Sequence, residues 1–314
     1  MKNGNTYITT SWDDGNPSDL RVAELLVKHG LRGTFYVPRS AKTGTMTAAQ
    51  IRDLGSVFEI GAHTLHHVVL TGMMKEKAWR EISDSKSWLE DTIGHSCRMF
   101  CPPSGEFSKE HVCMIQSAGF IGLRTTELGS LDHPRKRTGF ALMPTTLQAY
   151  PHGLVAVARN AAKRFAFGNL WRLIANGRAA EWPILARSLL HRVLDDGGVF
   201  HLWGHSWELG VANQWTHLDD VLQAMEEIRA NVPSLDNGEI AHRCLSSARG
   251  GGVCLLRGEE RQASTIDLLA RYPGWALPSR TDAVQCSSLR ASSAKEPNEA
   301  GRTRESRHDP ETGS

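Results

Sequence analysis

From residue 7 to residue 205, short apolar runs alternate with stretches in which apolar residues recur every three or four positions. The runs at 7–10 (YITT), 33–37 (GTFYV), 58–62 (FEIGA), 98–101 (RMFC), 119–123 (GFIGL) and 199–203 (VFHLW) predict strands. The periodic stretches 22–31, 75–93, 111–118 and 182–194 predict helices. Helices alternating with strands in this way argue for an α/β domain built on a mostly parallel sheet or barrel. Near Pro233 the pattern fades. Beyond it Tyr272 and Trp275 are the only aromatic residues, in a segment rich in serine and glycine. The expected division is a catalytic-sized domain at 1–235 and an extension at 236–314 that is largely disordered or weakly packed.

Composition narrows the classes. The chain has 314 residues and a formal net charge of +2, so its overall charge makes no case for nucleic acid. Residues 1–6 are polar and run directly into the first strand, and no apolar run is long enough to cross a bilayer. The six cysteines include no Cys-x-x-Cys pair and read as reduced thiols of a cytoplasmic protein. The basic stretch 153–178, with Phe165, Phe167, Leu170 and Trp171, suits a helix packed on its own domain or a peripheral contact with a membrane surface. The "PRKR" run at 134–137 reads as a solvated turn.

Four stretches carry candidate chemistry, each after a strand-like run. In "SWDDG", Asp13 and Asp14 are adjacent; two neighbouring carboxylates repel unless a cation or a proton-transfer task uses them, and the plain alternative is an Asp-Gly turn. In "EIGAHTLHHVVL", His63 and His67 are four apart, so one helical turn would put both imidazoles on one side; the alternative is a surface histidine cluster. Two imidazoles and a carboxylate make an open site for zinc or a late transition metal. In "FCPPSGEF", Pro102 and Pro103 stiffen a loop whose backbone N–H groups could face a ligand, though an ordinary proline turn reads the same way. In "VFHLWGHSWEL", a strand delivers His205 among Trp203 and Trp207, as a core residue or as a general acid.

Together these stretches resemble the polysaccharide deacetylase family, metal-dependent carbohydrate esterases that include chitin, peptidoglycan and nodulation-oligosaccharide deacetylases. The family's T-F-D-D-G motif is matched by Thr10-Ser11-Trp12-Asp13-Asp14-Gly15, with one residue inserted or shifted before the tryptophan. Its motif of two histidines with serine or threonine after the first is matched by His63-Thr64-Leu65-His66-His67, with three residues between the two ligands, its proline-glycine loop in outline by Cys101-Pro102-Pro103-Ser104-Gly105, and its L-x-x-H motif by Leu202-Trp203-Gly204-His205. The resemblance covers about residues 6–235 and implies a distorted, incomplete (β/α) barrel. It implies Asp13 as general base, His205 as general acid, and Asp14, His63 and His67 as ligands of a divalent metal, zinc foremost, with cobalt, nickel or manganese as alternatives. It places Ser104 by position at the backbone N–H that meets the oxyanion, beside Pro103.

The departures are equally specific. The arginine that leads the family's third motif is Cys101 here, its aromatic residue before the glycine is Ser104, and the Asp-Trp pair that steadies the histidine acid has no clear counterpart. Arg124, after another strand-like run, is the candidate for the missing positive charge, with a plain surface arginine as the alternative. Glu208, three residues after His205, is a candidate partner for the acid that strand alternation would turn away. Trp207 is a candidate wall for a sugar ring. The implied substrate is an N-acetylated sugar, oligosaccharide or lipid-linked glycan. The alternatives are a catalytically impaired glycan-binding relic of the same fold and a hydrolase of linear amide bonds.

Overall fold

The computed structural model describes residues 6–151 and 181–247. The stretch 153–178 and the extension beyond 247 lie outside the described residues apart from those limits. The strands are β1 (Tyr7–Asp13), β2 (Thr34–Val37), β3 (Glu59–Ala62), β4 (Met99–Phe100), β5 (Gly122–Arg124), β6 (Arg135–Arg137), β7 (Phe140–Met143), β8 (Leu147–Gln148) and β9 (Val199–His205). They form one sheet in the order β6-β7-β5-β4-β3-β2-β1-β9-β8, parallel throughout except for the β6–β7 hairpin. The helices are α1 (Asp19–Lys28), α2 (Ala48–Gly55), α3 (Lys75–Ile93), α4 (Lys109–Ser117), α5 (Trp182–Asp196), α6 (Ser206–Val211), α7 (Trp215–Ile228) and α8 (Asn237–Ser246).

The connectivity forces the sheet to curl. β7 and β8 lie near opposite ends of the strand order, seven strand steps apart. Laid flat, that is roughly 34 Å at ~4.8 Å per step. Yet only Pro144, Thr145 and Thr146 separate them in sequence, and four residue steps of extended chain reach ~14 Å. The two ends of the sheet must therefore approach each other, which makes an incomplete barrel strapped across its gap. His201 holds the strap: its Nδ1 lies 3.1 Å from the Pro144 carbonyl, and its backbone N–H donates to Thr146 Oγ1 at 2.9 Å. Burial, and then the charge of Arg124, lower the His201 pKa to about 3, so the ring is neutral at ordinary pH.

Strands such as β2 (TFYV) are buried on both faces, as expected where helices cover a parallel sheet. The apolar rows that give the helices their period, such as Val22 and Leu26 of α1, Ile82 and Leu89 of α3, and Leu189 and Val193 of α5, make one core with Ile8, Phe35 and Phe200 of the sheet. β1 runs further than the apolar run suggests, to Asp13, because Ser11, Trp12 and Asp13 are themselves buried.

The expected weak packing from residue 236 onward does not hold for its first residues. Asp236 caps α8, with its side chain accepting from Glu239 N–H. Asn237 is fully buried: its N–H donates to Thr34 Oγ1 (2.9 Å), its Nδ2 to the Tyr36 hydroxyl (3.0 Å), and its Oδ1 accepts from Thr9 Oγ1 (3.0 Å). Gly238 donates to Glu59 Oε2 at 2.8 Å, an approach that a Cβ at this position would block. α8 buries only Ile240 and Ala241 as apolar side chains, so hydrophobic periodicity could not reveal it; polar anchors hold it. Asn237→Ala should cost about 1–3 kcal/mol, the usual penalty for leaving buried polar partners unpaired. Urea unfolding of the variant measures it, and an unchanged midpoint would show that α8 is not anchored this way.

Candidate active site

Parallel strands bring their C-terminal ends to one side, and the site is built there. β1 ends in Asp13, directly opposite His205 of β9 in the pairing register. His63 follows the last residue of β3, Cys101 follows β4, and Arg124 ends β5.

Asp14, His63 and His67 offer ligand atoms that all lie within 4.8 Å of one another. The two histidines are not on a helical turn. They sit in a loop in which Thr64 (φ 59°) and His67 (φ 52°) take left-handed backbone geometry, and Asp14 has φ 79°. Glu81 of α3 staples this loop by accepting from the N–H groups of Leu65 (3.0 Å) and His66 (2.9 Å). It also holds His66 Nδ1 at 2.8 Å, so the third histidine of the motif is committed to Glu81. A buried carboxylate, rather than helical periodicity, thus decides which two imidazoles converge.

The donor set fits a cation. His63 Nδ1 lies 2.6 Å from the Cys101 carbonyl, an acceptor only, so Nδ1 carries the proton. That leaves the Nε2 lone pair directed toward Asp14 Oδ1, 3.5 Å away. His67 Nε2 lies 3.0 Å from the same oxygen. Asp14 Oδ1 is buried and accepts no hydrogen bond among the described residues. Lone pairs gathered around one point need a positive charge between them, and a histidine whose other nitrogen donates to a carbonyl is the usual arrangement at a metal. Burial pushes the Asp14 pKa up, but the neighbouring imidazoles of His63 and His67 outweigh it and hold the carboxyl ionised.

Asp13 is buried beside this trio. Arg124 Nη2 is bonded to its Oδ1, and Cys101 Sγ lies 3.9 Å from its Oδ2. Burial works to raise the Asp13 pKa; the charges of Arg124, His63 and His205 overcome it, and the net shift is downward. Arg124 itself is inaccessible to solvent, clamped between the rings of Tyr36 (5.2 Å) and Trp203 (4.7 Å). It stands behind Asp13 and, like Pro103, is not among the residues that line the pocket. Pro102, Ser104 and Gly105 do, with Ser104 at φ 58° on the rim.

His205, at the end of β9 beside β1, lines the same pocket as the trio. The strand ends at His205 and α6 begins at once, so Glu208 turns back toward the ring instead of away from it. Its Oε2 sits 2.8 Å from His205 Nδ1 and also accepts from Gln148 Nε2 at 2.9 Å. Burial lowers the His205 pKa, but the Glu208 hydrogen bond and the charges of Asp13 and Asp14 overcome that and raise it to about 9. Gln148 had no sequence signal. It comes from β8, the edge strand paired with β9, where it lies opposite Trp203 in the register. Trp207, on the same short helix, donates its indole N–H to Asp14 Oδ2 at 2.9 Å. Trp203, Trp207, Leu128 and Thr126 complete a cavity of about 390 Å³.

Comparison with known proteins agrees with the motifs. Residues 1–123 match the family model described as Polysaccharide deacetylase. A curated relative named "Putative polysaccharide deacetylase YxkH", from Bacillus subtilis (strain 168), is 24% identical over 127 residues, which cover 39% of this chain and 46% of that protein. A second from the same organism, "Uncharacterized protein YlxY", is 27% identical over 103 residues, 32% of this chain and 31% of that protein. The chain therefore aligns with between about a third and a half of the length of these relatives. Among solved structures, a "putative polysaccharide deacetylase from Mycobacterium smegmatis" superposes with a TM-score of 0.58 and 17% identity, covering 79% of this chain and 93% of the other. That likeness shows the fold. Among the described residues no helix is long and apolar enough to cross a membrane.

Proposed function

We propose that the polysaccharide deacetylase domain of this chain is a metal-dependent hydrolase that removes acetyl groups, N-acetyl foremost, from a sugar or glycoconjugate. The observation that carries this reading is the placement of an ionised, arginine-backed Asp13 and a protonated, glutamate-backed His205 on adjacent strand ends, in one pocket with the convergent Asp14–His63–His67 trio. A divalent cation held by that trio would supply an acidified water and polarise the acetyl carbonyl; the nitrogen-rich donor set favours zinc, with cobalt, nickel and manganese next.

The chain's own residues supply the rest. Asp13, held ionised by Arg124, accepts the proton of the attacking water. The backbone N–H of Ser104, a residue that lines the pocket, serves in this reading to stabilise the oxyanion. His205 donates its Nε2 proton to the departing amine, which could not otherwise leave as an amide anion. Glu208 fixes the His205 tautomer through Nδ1 and favours the imidazolium, with Gln148 holding Glu208 in turn. This triad takes the place of the Asp-Trp pair expected from the family, and Arg124 on β5 takes that of the third-motif arginine. The tryptophan walls suit a pyranose ring.

The test compares leaving groups. His205→Ala should slow acetate release from an N-acetyl sugar by roughly 10²–10⁴-fold, the scale of general-acid catalysis. An activated phenyl acetate should be affected far less, because a phenolate leaves unaided. In the wild type the N-acetyl reaction should fall as pH rises through the His205 pKa. Asp13, Asp14, Glu208 and Asp19 all face this ring electrostatically. A bound cation offsets the Asp14 charge, so the basic limb belongs at or below about 9. Equal losses on both substrates would assign His205 a structural role. No hydrolysis by the wild type with any of the four metals would favour a glycan-binding relic.

A further inference from the structure

We propose that Trp207 is a positioning residue for the metal site: its indole N–H occupies Asp14 Oδ2 and leaves Asp14 a single oxygen, Oδ1, to offer a cation. The inference rests on the metal reading above and concerns how this chain shapes it. The indole nitrogen is a donor only, and its 2.9 Å contact engages the oxygen of Asp14 that faces away from the histidines. Oδ1, the other oxygen, is the atom that lies 3.0 Å from His67 Nε2 and 3.5 Å from His63 Nε2. The division of labour is complete: one carboxylate oxygen is tied to protein, and the other is buried without a hydrogen bond among the described residues.

Backbone geometry alone does not aim this carboxylate. Asp14 leaves β1 at φ 79°, and His63 and His67 come from a separate loop after β3. Trp207 supplies the missing restraint from the neighbouring strand's exit: β9 lies beside β1 in register, and α6 starts directly after His205. Since His205, Trp207 and Glu208 share this short segment, the same turn that presents the acid also holds the ligand. The ring of Trp207 lies 5.7 Å from that of His205. A one-oxygen Asp14 with two imidazoles takes three positions of a metal and keeps the remainder for water and substrate. A two-oxygen Asp14 would close one of them.

The experiment uses the full chain and metal alone. Trp207→Phe keeps an aromatic ring and removes the N–H. Loss of such a supporting hydrogen bond typically weakens metal affinity by about 10–100-fold, and zinc competition against a chromophoric chelator should read that change. The cobalt-loaded variant should also show a weaker visible absorption than the wild type, because the freed Oδ2 raises the coordination number. Val211→Ala, at an exposed position of the same short helix, should leave affinity and spectrum close to wild type. Unchanged affinity and spectrum in Trp207→Phe would overturn the inference while leaving the metal site standing. A wild type that binds neither zinc nor cobalt would overturn the metal reading and this inference with it.

Discussion

His63→Ala, His67→Ala and Asp14→Ala are each expected to lose bound metal and to lose acetyl hydrolysis down to background, whereas Asp13→Asn should keep the metal and lose only the rate. Each of the first three removes one of three ligand atoms. His63 is the most exacting case, because its Nδ1 bond to the Cys101 carbonyl fixes which nitrogen is available. Asp13 is different. Its oxygens are held by Arg124 and by the Cys101 thiol. Its expected task is proton transfer, so Asp13→Asn should reduce the rate by roughly 10²–10⁴-fold. Metal content of the purified variants, measured beside acetate release, separates the two classes. Full occupancy in His63→Ala would sink the site as drawn. Loss of metal in Asp13→Asn would move Asp13 from base to ligand, a role its place beside His63 and Cys101 also permits.

Arg124→Met should destabilise the domain by about 3–5 kcal/mol, the usual cost of removing one partner of a buried ion pair. Arg124 and Asp13 are both buried, and without the guanidinium Asp13 would keep an uncompensated charge in the core. Some of the loss is packing, because the guanidinium fills the space between Tyr36 and Trp203. The double variant Arg124→Met/Asp13→Asn distinguishes the two contributions. If charge dominates, it should be more stable than Arg124→Met alone, because neither partner is then left ionised. Denaturant unfolding of the three variants and the wild type closes the cycle. Strict additivity would mean that the pair does not interact, and would withdraw Arg124 from its proposed support of the base.

How far the chain could be read without coordinates follows from what each feature depends on. Strands and helices with strong apolar periodicity, such as α3 at Lys75–Ile93, were legible because burial of one face imposes the period directly. The residue types of the candidate site were legible too, since Asp13-Asp14, the histidine motif and His205 each lie in a few consecutive residues at a strand end. Features held by long-range polar contacts were not. α8 has few apolar residues and is fastened by Asn237 to Thr9, Thr34 and Tyr36, more than two hundred residues away for each Asn237 bond. The histidine loop looked helical by spacing, yet Glu81 pulls His66 aside and imposes left-handed turns instead.

The one-dimensional order thus determined the alternation of elements, the side of the sheet that carries the chemistry, and the identity of the acids and imidazoles there. Tertiary structure decided how they are supported: Arg124 behind Asp13, Gln148 and Glu208 behind His205, Trp207 on Asp14. Arg124, four strands from Asp13 in the sheet order, reaches it because the sheet curls, whereas Gln148, Glu208 and Trp207 come from β8 and α6, beside or directly after β9. The reason is physical. Hydrophobic period is a local consequence of burial, whereas a hydrogen bond or buried ion pair is selected by angles and distances that exist only once the sheet has closed.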